Sequence, residues 1–243
     1  MNVSDASITG ALTLGFVLGL RHALDSDHLV AVSNIVSEHK SFARSSLVGT
    51  FWGLGHTASL FTVGLIILLL KISIPEQVKL WMEMPVALML IALGVNTTFR
   101  AARERGWQIH THVHSHDQQS QHAHVHIHNS GEHNHEHRLF HLGRRPFMVG
   151  LIHGFAGSAA VTLAALATVP TIALGLTWIL VFGIGSIGGM LLMSAAISLP
   201  FIITARRFSA INETIRLLAG LFSIIFGLMI AWALFGELRQ VNS

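Results

Sequence analysis

Six apolar runs, each close to the length that a bilayer demands, limit what this chain can become. They extend over Ile8–Val36, Ser46–Leu70, Met84–Phe99, Phe147–Val169, Ile172–Thr204 and Thr214–Phe235. A hydrocarbon core takes about 20 apolar residues wound as a helix, because backbone groups there must be satisfied within the segment itself. The expected fold is therefore an all-α integral membrane protein with six transmembrane helices, the third short and the fifth long. Only 11% of the 243 residues are charged while 51% are hydrophobic, whereas soluble domains are about 25% charged. Met1 to Gly10 lacks the basic region of a signal peptide, so the first run reads as a retained span.

Lysine and arginine sort the loops by side, since short cytoplasmic loops retain them. With the N-terminus outside, 11 of the 15 bases fall in inner loops and 3 (Lys71, Lys79 and Arg239) in outer segments, leaving Arg21 within the first span. This predicts a bacterial-type cytoplasmic membrane protein with both termini outside. The bases report topology and do not form a nucleic-acid surface. There is no cysteine, which removes disulfides, thiolate metal sites and thiol redox chemistry. Any metal must be held by nitrogen and oxygen.

The second half resembles the first. Gly19-Leu20-Arg21-His22 recurs as Gly150-Leu151-Ile152-His153, Gly53-Leu54-Gly55-His56 as Gly183-Ile184-Gly185-Ser186, and Ile91-Ala92-Leu93-Gly94 as Ile224-Ile225-Phe226-Gly227. The offsets are 131, 130 and 133 residues. A unit of three spans forces its copy to enter the membrane in the opposite sense, and such inverted repeats are a transporter signature with the substrate near the midplane. Three segments follow: residues 1–99 as a first three-helix repeat, 100–146 as a cytoplasmic loop, and 147–243 as a second repeat.

The first span contains Arg21-His22-Ala23-Leu24-Asp25-Ser26-Asp27-His28. Three charges at depth cost about 2.5 to 3.5 kcal/mol each before any pairing, so something must offset roughly 8 to 10 kcal/mol. Arg21 can neutralise one carboxylate, which leaves the other carboxylate and two imidazoles to converge on a cation such as nickel, cobalt, zinc or manganese. His22 and His28 are six positions apart, a rise of about 9 Å with rotation of about 240°, and share no face of a straight helix. Either the helix breaks near Asp25 to Asp27, or the histidines serve successive positions along a path. His56, beside Gly53 and Gly55 in the second span, can reach the first span across that close approach. His153 is either a further ligand or a polar packing group. Gly183, Gly185, Gly188 and Gly189 read as close-packing surfaces, and Met190 and Met193 as packing.

Between the third and fourth spans, the segment from Arg100 to Arg145 carries 12 of the 17 histidines and almost no apolar run. Its composition predicts a disordered loop. His110, His112, His114 and His116 alternate, as do His122, His124, His126 and His128, with His133, His135, His137 and His141 following. Alternation sets imidazoles along one edge of an extended segment, where several can share a metal ion. The loop is read as an accessory metal binder. His39, near Glu38 and Lys40, is read as solvated.

The segment from Arg21 to His28 resembles the signature of the nickel/cobalt transporter family: a His, four residues, then Asp-His in an early helix. Gly53-Leu54-Gly55-His56-Thr57 resembles that family's second motif. The resemblance implies nickel or cobalt uptake with His22, Asp27, His28 and His56 in the selectivity site; Asp25 and His153 complete the candidate set. Uptake members have eight spans and a later acidic motif, whereas this chain has six runs and His153-Gly154-Phe155-Ala156-Gly157-Ser158, which is similar to the urease-accessory branch. Cytoplasmic metallochaperones or urease and hydrogenase maturation proteins are the partners this implies. A His-rich loop is also similar to that of efflux members, so export uses the same parts in reverse. A membrane metalloenzyme is the third reading, but no His-Glu-x-x-His, Ser/Lys pair or Cys pair equips it. No prosthetic group is expected; the metal is substrate.

Overall fold

A computed structural model of the chain describes residues 5–39, 41–70, 74–105, 110–116, 120–126, 138–168 and 171–241. Its elements are α1 (Asp5–His22), α2 (Ser26–Val36), α3 (Phe42–Leu70), α4 (Glu76–Arg105), β1 (His110–His116), β2 (Ser120–His126), α5 (Arg138–Thr168), α6 (Ile172–Arg207) and α7 (Ser209–Val241). Among the described residues, four helices are long and apolar enough to cross a membrane: Phe42–Leu70, Glu76–Arg103, Ile172–Ala205 and Ala210–Val241. A fifth crossing results if the bent pair α1 and α2 is one span. Large apolar side chains face outward, Trp232 being 83% exposed, Phe99 66% and Leu192 62%. Lipid makes such a surface favourable where water does not.

The third run is longer as a helix than its apolar stretch suggests, because Glu76, Lys79 and Arg103 extend α4 at its polar ends, with Lys79 and Glu76 paired at 2.8 Å. The first run is not one helix. It bends by 53° between Ser7–His22 and Ser26–Val36.

Glycines set how the helices meet. α3 lies along α5 and α6, α4 along α7, and α1 along α6. Along α3 and α5 the contacts advance together, Phe51 meeting Gly143 and His56 meeting Gly154, so these helices run parallel. α1 and α6 are parallel too, with Gly15 at Trp178 and Gly19 at Phe182. α3 and α6 are antiparallel, since Gly53 meets Ile187 and Gly183 meets Thr57; α4 and α7 likewise, with Gly94 at Gly220 and Gly227 at Ala87. Small residues let backbones approach closely enough for such packing to hold helices together in lipid, where the hydrophobic effect gives nothing between them. Of the α6 glycines, Gly183, Gly185 and Gly189 are packing surfaces as expected, but Gly188 faces open space. Met190 and Met193 are core residues, packed with Trp52, Ala31 and Val36.

Parts of the segment read as a loop are described. α4 continues to Arg105, α5 begins at Arg138, and β1 pairs antiparallel with β2. The register sets His110 against His126, His112 against His124 and His114 against His122. Polar composition argued for disorder, yet the period of two that aligns the histidines is also the period of a strand. His128, His133, His135 and His137 lie outside the described residues.

Candidate metal centre

The break in the first run is encoded by Asp25-Ser26-Asp27. Leu24 N–H donates to the Arg21 carbonyl at 2.8 Å and Asp25 N–H to the His22 carbonyl at 3.1 Å, tightening the end of α1. Asp25 then takes extended backbone geometry (φ −63°, ψ 146°) as the N-cap of α2, and Asp27 occupies its first turn. Aspartate suits both places, accepting at an N-cap and complementing the positive end of the helix. Here, however, the Asp25 side chain makes no cap hydrogen bond. It turns to His22 Nδ1 at 2.7 Å.

That bend brings together side chains that a straight helix would separate. The ring centroids of His22 and His28 are 4.6 Å apart, and His56 of α3 lies 5.2 Å from each. His153 of α5 comes within 4.0 Å of His28. Asp27 bridges two rings, with Oδ1 3.1 Å from His28 Nδ1 and Oδ2 2.9 Å from His153 Nε2. The His28 backbone N–H also donates to Asp27 Oδ1 at 2.9 Å. His28 and His56 are fully buried and His153 nearly so, while the Asp27 side chain keeps 31% exposure.

Among the described residues, two overlapping groups could each hold a metal ion: His22, His28 and His56, and Asp27, His28 and His153, with the ligand atoms of each group within 4.8 Å of one another. Bonds of about 2.0 to 2.1 Å place neighbouring ligands about 3 Å apart, so small side-chain movements close either group around a cation. Several imidazole nitrogens are buried without a partner: His22 Nε2, His28 Nε2, both nitrogens of His56, and His153 Nδ1. Leaving such atoms unsatisfied costs about 1 to 3 kcal/mol each. A cation suits the nitrogen of each ring that carries the lone pair, one nitrogen of His56 being the N–H.

Of the six residues singled out in the sequence, five converge in these groups. Asp25 does not; it is exposed and acts on His22. Arg21 is also exposed, and among the described residues the carboxylates of Asp25 and Asp27 pair with imidazoles and not with the guanidinium. Trp52 was not singled out. It is fully buried and stacks on His28 at 5.4 Å with planes 19° apart. Its place one turn before His56 gives no hint of contact with a ring from another helix. His39 is half-buried and not simply solvated, and burial pushes its imidazole below the usual range despite Glu38 beside it.

Residues 8–208 match the NicO family, described as "High-affinity nickel-transport protein". A "Urease accessory protein UreH" of Bacillus sp. (strain TB-90) is 35% identical over 235 residues, covering 93% of this chain and 92% of that protein. A "High-affinity nickel transport protein" of Cupriavidus necator is 29% identical over 77 residues, 31% of this chain and 22% of that one. "Chloroplast protein FOR GROWTH AND FERTILITY 1" of Arabidopsis thaliana is 38% identical over 89 residues, 36% of this chain and 24% of that one. No solved structure matches the chain.

Proposed function

Because the chain belongs to the NicO family of high-affinity nickel-transport proteins, we propose that it is a secondary transporter carrying nickel or cobalt inward across a bacterial-type cytoplasmic membrane. The observation that carries this reading is the convergence of four imidazoles and one carboxylate at a broken helix, between α1, α2, α3 and α5. Imidazole with carboxylate suits nickel and cobalt. Discontinuous helices are where transporters place their ions. The urease-accessory name of the Bacillus relative supports nickel as cargo, with urease maturation proteins as its recipients.

Six crossings in two inverted repeats, residues 1–99 and 147–243 around a cytoplasmic segment 100–146, are part of the same reading. Its support is a reciprocity in packing. Gly19 meets Phe182 as Gly150 meets Trp52, Gly53 meets Ile187 as Gly183 meets Thr57, and Gly94 meets Gly220 as Gly227 meets Ala87. Each pair of contacts interchanges when residues move by the repeat offsets of 130 to 133. Helix directions agree, since α5 parallels α3 and α6 parallels α1.

Uptake of radioactive nickel into right-side-out vesicles tests the function. Saturable accumulation is expected; efflux alone would make the protein an exporter, and flux in neither direction for nickel or cobalt would remove the transport reading. Uptake is expected to weaken as the pH falls, because protons compete with metal for imidazole nitrogens and only the neutral ring binds. A flux series from pH 7.5 to about 5.5 checks the sign. For topology, a cytoplasm-active reporter near Ser120 and a periplasm-active reporter after Ser243 are both expected to be active; activity of the reverse pair contradicts the orientation. The His-rich segment is accessory in this reading. Deleting Gln108 to His137 is expected to weaken capture at low nickel while flux at saturating nickel persists, and complete loss from an inserted protein would make the segment essential.

A further inference from the structure

The four imidazoles are not equivalent, and their hydrogen bonds divide them. In the group of His22, His28 and His56, His22 and His28 each turn Nδ1 to a carboxylate, Asp25 at 2.7 Å and Asp27 at 3.1 Å. Their Nε2 atoms and both nitrogens of His56 are buried without partners. This group is open to a cation. In the group of Asp27, His28 and His153, both carboxylate oxygens are already engaged, Asp27 holding His28 Nδ1 through one and His153 Nε2 through the other, while His28 Nε2 and His153 Nδ1 stay without partners. This group is closed at its carboxylate. His28 belongs to both and lies between them, 4.6 Å from His22 and 4.0 Å from His153.

We propose that one cation occupies two seats in turn that share His28: an all-nitrogen seat of His22, His28 and His56, then a seat of Asp27, His28 and His153. In the first seat Asp27 is a positioning residue that orients His28 through Nδ1, as a carboxylate orients a metal-bound imidazole elsewhere. In the second it becomes a ligand, which requires its present bonds to His28 and His153 to open. The bonds that must open are confined to Asp27, His28 and His153, which are already within hydrogen-bond distance. The outer histidines of the two seats, His22 and His153, are repeat mates 131 residues apart. Exchanging the halves about a pseudo-two-fold axis carries one onto the other, and alternating access exchanges the halves in that way. The two seats thus give each repeat one terminal ligand, with His28 common to both. The proposal rests on the transport reading above and assigns an order of contact within it.

The test separates binding from flux in purified protein. Ni2+ and Co2+ binding is measured by calorimetry, the ligand set by X-ray absorption on the Ni2+-loaded wild type, and flux in liposomes. The wild type is expected to bind one ion with three imidazoles and no carboxylate at equilibrium. His153→Gln and Asp27→Asn are expected to keep binding within about 100-fold of wild type, the range for a lost positioning partner, and to lose flux by at least that factor. His56→Ala is expected to lose binding and flux together. If carboxylate appears in the wild-type coordination shell, or if Asp27→Asn and His153→Gln lose binding as completely as His56→Ala, there is one seat, and the two-seat order is overturned while transport stands. The wild-type spectrum decides this even where a variant does not fold. Absence of wild-type flux with normal binding would instead remove the transport reading.

Discussion

Purified His28→Ala protein in liposomes is expected to carry no nickel or cobalt at concentrations where the wild type is half-saturated, while its insertion into the membrane is preserved. Three observations converge on that residue. It is fully buried, it is the side chain common to both metal-competent groups, and its Nε2 has no partner among the described residues. Removing a ligand should cost more than removing its hydrogen-bonding partner, which alone costs 10- to 100-fold in metal affinity, so the expected loss of flux exceeds 100-fold. The folding cost has two parts of opposite sign. Truncating a buried ring loses packing, for which comparable core truncations cost about 2 to 5 kcal/mol. It also removes a buried nitrogen left unsatisfied, which returns about 1 to 3 kcal/mol. The net should be small enough for the helices to assemble. His39→Ala, in the loop between α2 and α3, is the matched control and should transport normally. Wild-type flux from His28→Ala would refute the centre.

The candidate site was legible in the sequence where the cost of burying charge pointed to it. His22, Asp27 and His28 stand in an apolar run that cannot hold them without a reason, and His56 stands among glycines that admit a neighbouring helix. The break itself was one of two readings, and the choice depended on Asp25. An aspartate followed by Ser-Asp is a good helix start, yet whether a span restarts there depends on what surrounds it. His153 could not be assigned from its own helix, which has no carboxylate nearby; its partner, Asp27, lies 126 residues away and meets it only because α5 packs on α3. Trp52 illustrates the same limit, since stacking between rings on α2 and α3 leaves no periodicity to read. In the His-rich segment, composition and alternation point to different backbones, and the described residues of β1 and β2 carry the alternating histidines. Gly188 fails for a simpler reason. In lipid, a glycine facing a neighbour and one facing outward occupy equally apolar surroundings, and sequence does not tell them apart.

That last difference supplies a sharp test of what holds the helices together. Gly150→Leu is expected to prevent assembly of the native bundle, whereas Gly188→Leu is expected to leave it intact or slightly more stable. A Cβ at Gly150 would meet the Trp52 carbonyl, the Trp52 ring and the His56 backbone nitrogen. Most of these neighbours are helical backbone, which cannot turn aside as a flexible side chain can. Overpacking of an ordinary core costs about 1 to 3 kcal/mol; here α5 must move away from α3, opening the contact that brings His153 to Asp27. At Gly188 a Cβ meets nothing within 4 Å, and the residues one turn away on that face, Ile184 and Leu192, are 61% and 62% exposed. Leucine there adds apolar surface toward lipid and relieves the helix cost of glycine, worth about 0.8 to 1 kcal/mol. Gly19, 131 residues before Gly150, is placed in the same manner, since a Cβ there would meet the Phe182 carbonyl. Gly19→Leu should therefore fail as Gly150→Leu does, by separating α1 from α6. Size-exclusion profiles and thermal transitions of the detergent-solubilised proteins measure all three. A Gly150→Leu protein that elutes as a single native peak, melts with the wild type and still binds nickel would mean that α3 and α5 do not meet along this seam.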